Sequence, residues 1–290
     1  MSRPPFLTLP PCARAYRLAT ARGEFAVHDA RPAGPPRGTV LLVPGFTGSK
    51  EDFIAVLAPL AGAGYRAVAV DGRGQYESGG PRDEAAYAQR ELALDVRAQA
   101  AALGDGVHLV GHSLGGLIGR AAVLHDAAPY RSLTLMSSGR GAVAESQRAR
   151  TALLLHALTE LGMSMAEVWT RMQGMEAEAA DPAAPPALRE FLHHRWLGTV
   201  PEQLIGTGRQ LMTEPDRVDE LARVPLAKHV LCGAVDYAWP VPQIEGMGKE
   251  LSAVTTVIQG AGHSPAAECP EATAEAMVRF WETVSGSDRW

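Results

Sequence analysis

The chain has 290 residues, with 27 Lys and Arg against 32 Asp and Glu, a formal net charge of −5. Hydrophobic residues make up 46% and charged residues 20%, which is too apolar for a disordered chain. A chain of this length buries a large core without disulfide or metal staples, and its mild acidity argues against a nucleic-acid binder. Three scattered cysteines, Cys12, Cys232 and Cys269, form no C-x-x-C pair, so neither a disulfide framework nor a zinc site is expected. No run is apolar enough for a signal peptide or a membrane span, so the expected compartment is the cytoplasm.

Two alternating stretches open the chain, about Ala15 to Leu18 and Glu24 to His28, and read as edge strands around a turn at Gly23. A Pro/Gly-rich connector, Arg31 to Gly38, follows. Then strands and helices alternate. Thr39–Val43, Ala67–Val70, Val107–Gly111 and Leu133–Met136 are short apolar runs of the kind buried in parallel sheets. Between them, Glu51–Ala61, Glu84–Leu103 and Leu114–Asp126 have helical spacing. The rhythm predicts an α/β fold, a mostly parallel sheet with helices on both faces.

The rhythm stops at about Gly141. Up to Pro225 only amphipathic helical segments are expected: Glu145–Leu161, Ser164–Gly174, Pro186–Leu197 and Pro201–Met212. Strands resume at Lys228–Cys232 and Thr255–Ile258, with helices at Val241–Leu251 and Glu271–Val284. The expected organisation is a core of residues 1–140 and 226–290 interrupted by an all-helical cap, 141–225. Five of the nine methionines, Met163, Met165, Met172, Met175 and Met212, lie in that block. Methionine suits adaptable apolar sites, although it equally packs helices together.

The segment Gly111-His112-Ser113-Leu114-Gly115 places Gly-x-Ser-x-Gly between an expected strand and an expected helix. A nucleophile on so tight a turn leaves no room for side chains two residues before and after it. The turn lifts the Ser113 hydroxyl off the sheet and sets the Leu114 amide at a helix N-terminus, where negative charge is stabilised. With these features the chain resembles the α/β-hydrolase superfamily from about Ala15 to Trp281. The resemblance implies a nucleophile, an acid and a histidine in that chain order. Asp236, in Gly233-Ala234-Val235-Asp236, and His263, in Gly262-His263-Ser264-Pro265, each follow an expected strand in that order. Of the nine histidines, His263 alone combines a loop position after a strand with a place downstream of the acid. His112 is expected to point away from the hydroxyl.

The implied chemistry is nucleophilic acyl transfer, with Ser113 as nucleophile, His263 as base and Asp236 orienting the imidazole. The resemblance implies an oxyanion hole from the Phe46 and Leu114 amides. Pro44 stands where many relatives carry histidine. Asp71-Gly72-Arg73-Gly74-Gln75-Tyr76-Glu77-Ser78 resembles a second family loop, with Asp71, Arg73 and Ser78 bracing it. Met163, Trp239 and Tyr76 are candidate substrate contacts, with plain packing as the alternative for each.

Serine at 113 argues against the family's aspartate-nucleophile epoxide hydrolases and dehalogenases. The Leu-rich stretch Leu153 to Leu161 favours a hydrophobic acyl group. The expectation is a carboxylic-ester hydrolase acting on a small, fairly apolar substrate, with no cofactor and no metal. A thioesterase, a lactonase, a cyclase on a biosynthetic intermediate and a meta-cleavage C–C hydrolase are alternatives on the same machinery. The sequence carries no signal for oligomeric state.

Overall fold

The computed structural model describes residues 1–104, 106–176 and 185–287. In chain order the elements are β1 (Ala13–Thr20), β2 (Gly23–Ala30), β3 (Gly38–Val43), α1 (Ile54–Gly62), β4 (Tyr65–Val70), α2 (Gln89–Leu103), β5 (Val107–His112) and α3 (Leu114–His125). Then come β6 (Tyr130–Met136), α4 (Glu145–Thr159), α5 (Met165–Glu176), α6 (Pro186–Gly198), α7 (Pro201–Thr213) and α8 (Val218–Ala222). The chain closes with β7 (Ala227–Gly233), α9 (Val241–Glu250), β8 (Val254–Ile258), α10 (Pro265–Glu268) and α11 (Pro270–Ser287).

The eight strands form one sheet in the order β1-β2-β4-β3-β5-β6-β7-β8. β2 pairs antiparallel with both β1 and β4, and every later pairing is parallel. Side chains alternate across a strand, and the two cores follow that period of two. Leu41, Val43, Val68 and Val70 face one side, where Leu92, Val96, Leu117 and Ile244 from α2, α3 and α9 pack on them. Val40, Leu42, Ala67 and Ala69 face the other, covered by Ile54, Leu57, Met277, Phe280 and Trp281 from α1 and α11. Burial on both faces explains why these strands read as continuous apolar runs rather than alternating ones.

Two expected helices are divided. The Glu51–Ala61 pattern is a single 3-10 turn, Lys50–Phe53, followed by α1. The Glu84–Leu103 pattern breaks at Ala88, whose ψ of 143° is extended, leaving a 3-10 turn before α2. The short helices α8 and α10 have no periodicity of their own long enough to be read in sequence. Between β6 and β7 every element among the described residues is helical. These helices carry a small core of their own, with Leu158, Met165, Val168, Trp196 and Leu204 buried. They are tied to the sheet by buried ion pairs, Arg195 to Asp52 and Arg120 to Glu214, and by the Val200 amide donating to the Gly74 carbonyl.

The topology fixes where a site can be. From β3 the chain goes to β4 on one side, then crosses to β5 on the other. Such a switch opens a crevice beyond the carboxyl ends of the two central strands. The loop 44–48 leaves β3 there, and Ser113 stands there at the end of β5.

Candidate active site

Ser113 has φ 54° and ψ −118°, a left-handed conformation that a non-glycine residue holds only under constraint. The constraint is close packing around the turn. A Cβ on Gly111 would fall 2.2 Å from the Gly115 carbonyl oxygen, and one on Gly115 would fall 2.4 Å from that of Val43. Both positions therefore require glycine, for the steric reason the sequence pattern suggests.

The structure brings the three sequence candidates together. The Ser113 hydroxyl is 3.1 Å from His263 Nε2. On the other side of the ring, His263 Nδ1 donates to Asp236 Oδ2 at 2.9 Å. That bond places the imidazole proton on Nδ1 and leaves the Nε2 lone pair facing the serine. The second Asp236 oxygen accepts from the Ala238 and Trp239 amides at 2.7 and 3.1 Å, which fixes the carboxylate. Asp236 has a fully buried side chain, and His263 is also buried.

The loop after β3 lies against the nucleophile. A Cβ on Gly45 would sit 3.1 Å from Ser113 Cβ. The Gly45 carbonyl is held by Gln75 Nε2 at 2.9 Å and by the Gly48 amide. Phe46 faces the cavity above Ser113. Leu114 is the first residue of α3, so its amide has no intrahelical acceptor.

The cavity at Ser113 has a volume of about 850 Å³. Leu153, Leu154, Leu161, Met163, Met172 and Trp196 supply much of its apolar wall. Met163, a candidate substrate contact, is among the lining residues. Trp239 does not reach the cavity. It is fully buried behind His263, with ring centres 6.3 Å apart, and its indole N–H donates to the Gly141 and Ala142 carbonyls. Tyr76 is likewise corrected. Its ring packs edge-on against Phe191 at 5.7 Å, with Lys50 Nζ 4.7 Å from the ring centre, outside the cavity lining. Both aromatics pack against other side chains and lie outside the cavity lining. Asp71, Arg73 and Ser78 brace the β4 loop: Asp71 accepts from Lys50, Arg73 pairs with Asp95, and Ser78 Oγ accepts from the Ala26 amide.

Two site neighbours are not evident in the sequence. The His112 ring makes no hydrogen bond to the Ser113 hydroxyl among the described residues; it turns to His263, and its Nε2 lies 2.7 Å from the His263 carbonyl oxygen, to which it donates. Burial, and then the charge of His263, push the His112 imidazole down to about 3, so it is neutral and serves as a fixed donor. The Tyr237 ring lies 4.7 Å from that of His263, tilted by 44°. Burial and the adjacent Asp236 push its phenol up, while Arg150 opposes them. A residue beside the acid carries no motif, so neither contact has a sequence signal beyond adjacency.

A serine, a histidine and an aspartate on loops at the carboxyl ends of an eight-stranded, mostly parallel sheet define a class: hydrolases of the α/β-hydrolase fold. Residues 40–276 match the model of the alpha/beta hydrolase family, and the chain belongs to that family. A curated relative from Variovorax paradoxus (strain S110), provisionally named carbamate hydrolase RutD, is 40% identical over 126 residues, which is 42% of this chain and 47% of the relative. The match thus spans about half the length of that relative. Among solved structures, a membrane phospholipase A described as a bacterial virulence factor superposes with a TM-score of 0.74 at 24% identity, covering 94% of this chain and 87% of that one. A thermophilic esterase from Thermogutta terrifontis superposes with a TM-score of 0.73 at 22% identity, covering 94% and 99%. At these identities the superpositions speak for the fold. Among the described residues, no helix is long and apolar enough to cross a membrane.

Proposed function

We propose that this hydrolase cleaves a carboxylic ester of a fairly apolar substrate through an acyl-enzyme on Ser113. The observation that carries the reading is the hydrogen-bond chain Ser113–His263–Asp236, with donor and acceptor distances of 3.1 and 2.9 Å, opening on an apolar cavity. Serine is a weak nucleophile at neutral pH and needs a base. His263 Nε2 takes the hydroxyl proton as Oγ attacks the carbonyl carbon. The carbonyl oxygen becomes an oxyanion, met by the Leu114 and Phe46 amides. Asp236 stabilises the imidazolium. His263 then returns the proton to the leaving alcohol, and a water repeats the sequence to release the acid and restore Ser113.

In this reading residues 141–225 form a cap over a core of 1–140 and 226–290, and the cap's leucines and methionines hold the acyl group. Neither a metal nor an organic cofactor enters any step. The test is turnover of p-nitrophenyl esters of increasing chain length by the wild type and by Ser113→Ala. The variant should lose about 10⁴- to 10⁶-fold in kcat while its fold is retained. A variant with wild-type turnover would remove Ser113 from the chemistry. A second reading, carbamate cleavage, is favoured by the name of the Variovorax relative. The same attack on a carbamate carbonyl serves it, and a matched aryl carbamate and aryl ester separate the two by kcat/KM.

A further inference from the structure

The charge lining the cavity is unbalanced. Asp52 is the sole carboxylate among the described lining residues, and Arg195 neutralises it at 2.7 Å. Arg150 on α4 and Arg171 on α5 also line the cavity. Both are exposed, so they stand at its mouth. Neither forms an ion pair within the described residues.

Several other arginines of this region are paired. Arg148 pairs with Glu145, Arg209 with Glu84 and Arg217 with Glu220. Glu167, one turn before Arg171, is turned instead to the hydroxyl and amide of Ser164. The Arg150 charge also acts on the Tyr237 phenol, whose ring centre is 4.7 Å from that of His263. The Arg171 charge also reaches the Glu167 carboxylate, but neither guanidinium is held in an ion pair; a cleft with two such groups attracts anions, and the planar fork of arginine suits a carboxylate.

We propose that the natural substrate is amphiphilic, an ester whose apolar chain ends in a carboxylate, and that Arg150 and Arg171 read that carboxylate at the mouth. This deepens the ester-hydrolase reading and rests on it. The apolar wall takes the chain, and the rim takes the charge. Because the arginines are exposed, water and salt screen the contact, so discrimination of about tenfold is expected rather than a thousandfold.

Two six-carbon substrates test it, mono-p-nitrophenyl adipate and p-nitrophenyl hexanoate. The wild type should favour the adipate ester about tenfold in kcat/KM at low ionic strength, mostly through KM. The ratio should shrink toward one in 0.5 M NaCl, where the screening length falls to roughly 4 Å. Arg150→Gln and Arg171→Gln should each lower the ratio, and the double variant should bring it to about one. Arg150→Lys should retain part of it. Equal kcat/KM for the two esters, or a preference that survives in the double variant, overturns the proposal. Calorimetry on Ser113→Ala keeps it separate from the ester-hydrolase reading. If neither ester is turned over, that reading falls. Tighter binding of monoethyl adipate than of ethyl hexanoate, lost in the arginine double variant, still upholds the anion site, and equal binding refutes it.

Discussion

Replacing Arg195 by methionine probes how the inserted helices are held over Ser113. Arg195 lies on α6, and its guanidinium is fully buried. Nη1 donates to Asp52 at 2.7 Å, and Nη2 donates to the Ser2 carbonyl at 2.7 Å. The neighbouring Trp196 lines the cavity and donates its indole N–H to the Met165 carbonyl. One guanidinium thus joins α6, the turn after β3 and the N-terminal residues. Burial already pushes the Asp52 carboxyl up, against the pull of Arg195. Without the arginine, the carboxylate keeps only the weak contact from the Ser49 amide at 3.4 Å. Breaking a buried pair from one side costs about 3–5 kcal/mol, because the remaining charge is left without compensation. For a chain of this size that corresponds to a fall in Tm of about 6–15 °C.

The pH dependence has a definite sign. Removing Arg195 raises the folded-state pKa of Asp52 further. Such a carboxyl contributes stability below its unfolded pKa and loses it as pH rises through the folded one. The deficit of Arg195→Met should therefore be largest at neutral pH and narrow toward pH 4. Urea unfolding at several pH values measures it. Asp52→Leu with Arg195→Met removes both charges and should recover most of the loss. A single variant that costs under about 1 kcal/mol, or a double variant as unstable as the single, would refute the reasoning.

Other consequences are as definite. Burial lowers His28, His108 and His229 to about 4 and His112 to about 3, from 6.5. Neutral in the fold, each gives stability that is full above pH 6.5 and drains as pH falls toward its folded value, by up to about 1.4 kcal/mol per pH unit. Acid unfolding curves should show that loss beginning near pH 6, and His229→Leu should shallow it; an unaltered slope would contradict the assignment. Asp236→Asn should keep the fold and lower kcat by about 10⁴, since the wrong tautomer then faces Ser113. A loss under tenfold would mean that Asp236 does not orient His263. His112→Leu removes the donor to the His263 carbonyl and should lower kcat by about tenfold with little change in KM. His112→Gln should restore part of it, and a change confined to KM would tell against a positioning role.

Much of the site was legible because its constraints are steric and local. Gly111 and Gly115 are dictated by the backbone packed around them, where an added Cβ would fall 2.2 and 2.4 Å from carbonyl oxygens, so the elbow shows in five residues. Asp236 and His263 are readable from their place after strands, the buried β7 run and the β-branched β8 run. The contacts that depend on tertiary packing were not. Whether Tyr76 or Tyr237 faces the cavity is decided by how α6 and the acid loop meet the core, and no local pattern encodes that. Tyr76 packs on Phe191, while Tyr237 packs on His263 with the rings tilted. Trp239 was ambiguous for the same reason, until its indole is seen to donate to Gly141 and Ala142. Gln75 holds the Gly45 carbonyl from 30 residues away, a contact visible only in three dimensions.

The central claim is that Ser113 is an activated nucleophile. Intact-protein mass spectrometry after treatment with a fluorophosphonate measures this directly. The account predicts one covalent adduct per chain, mapped to Ser113, absent in Ser113→Ala and slowed at least a hundredfold in His263→Ala. An unlabelled wild type, or a Ser113→Ala protein labelled as fast as the wild type, would contradict it.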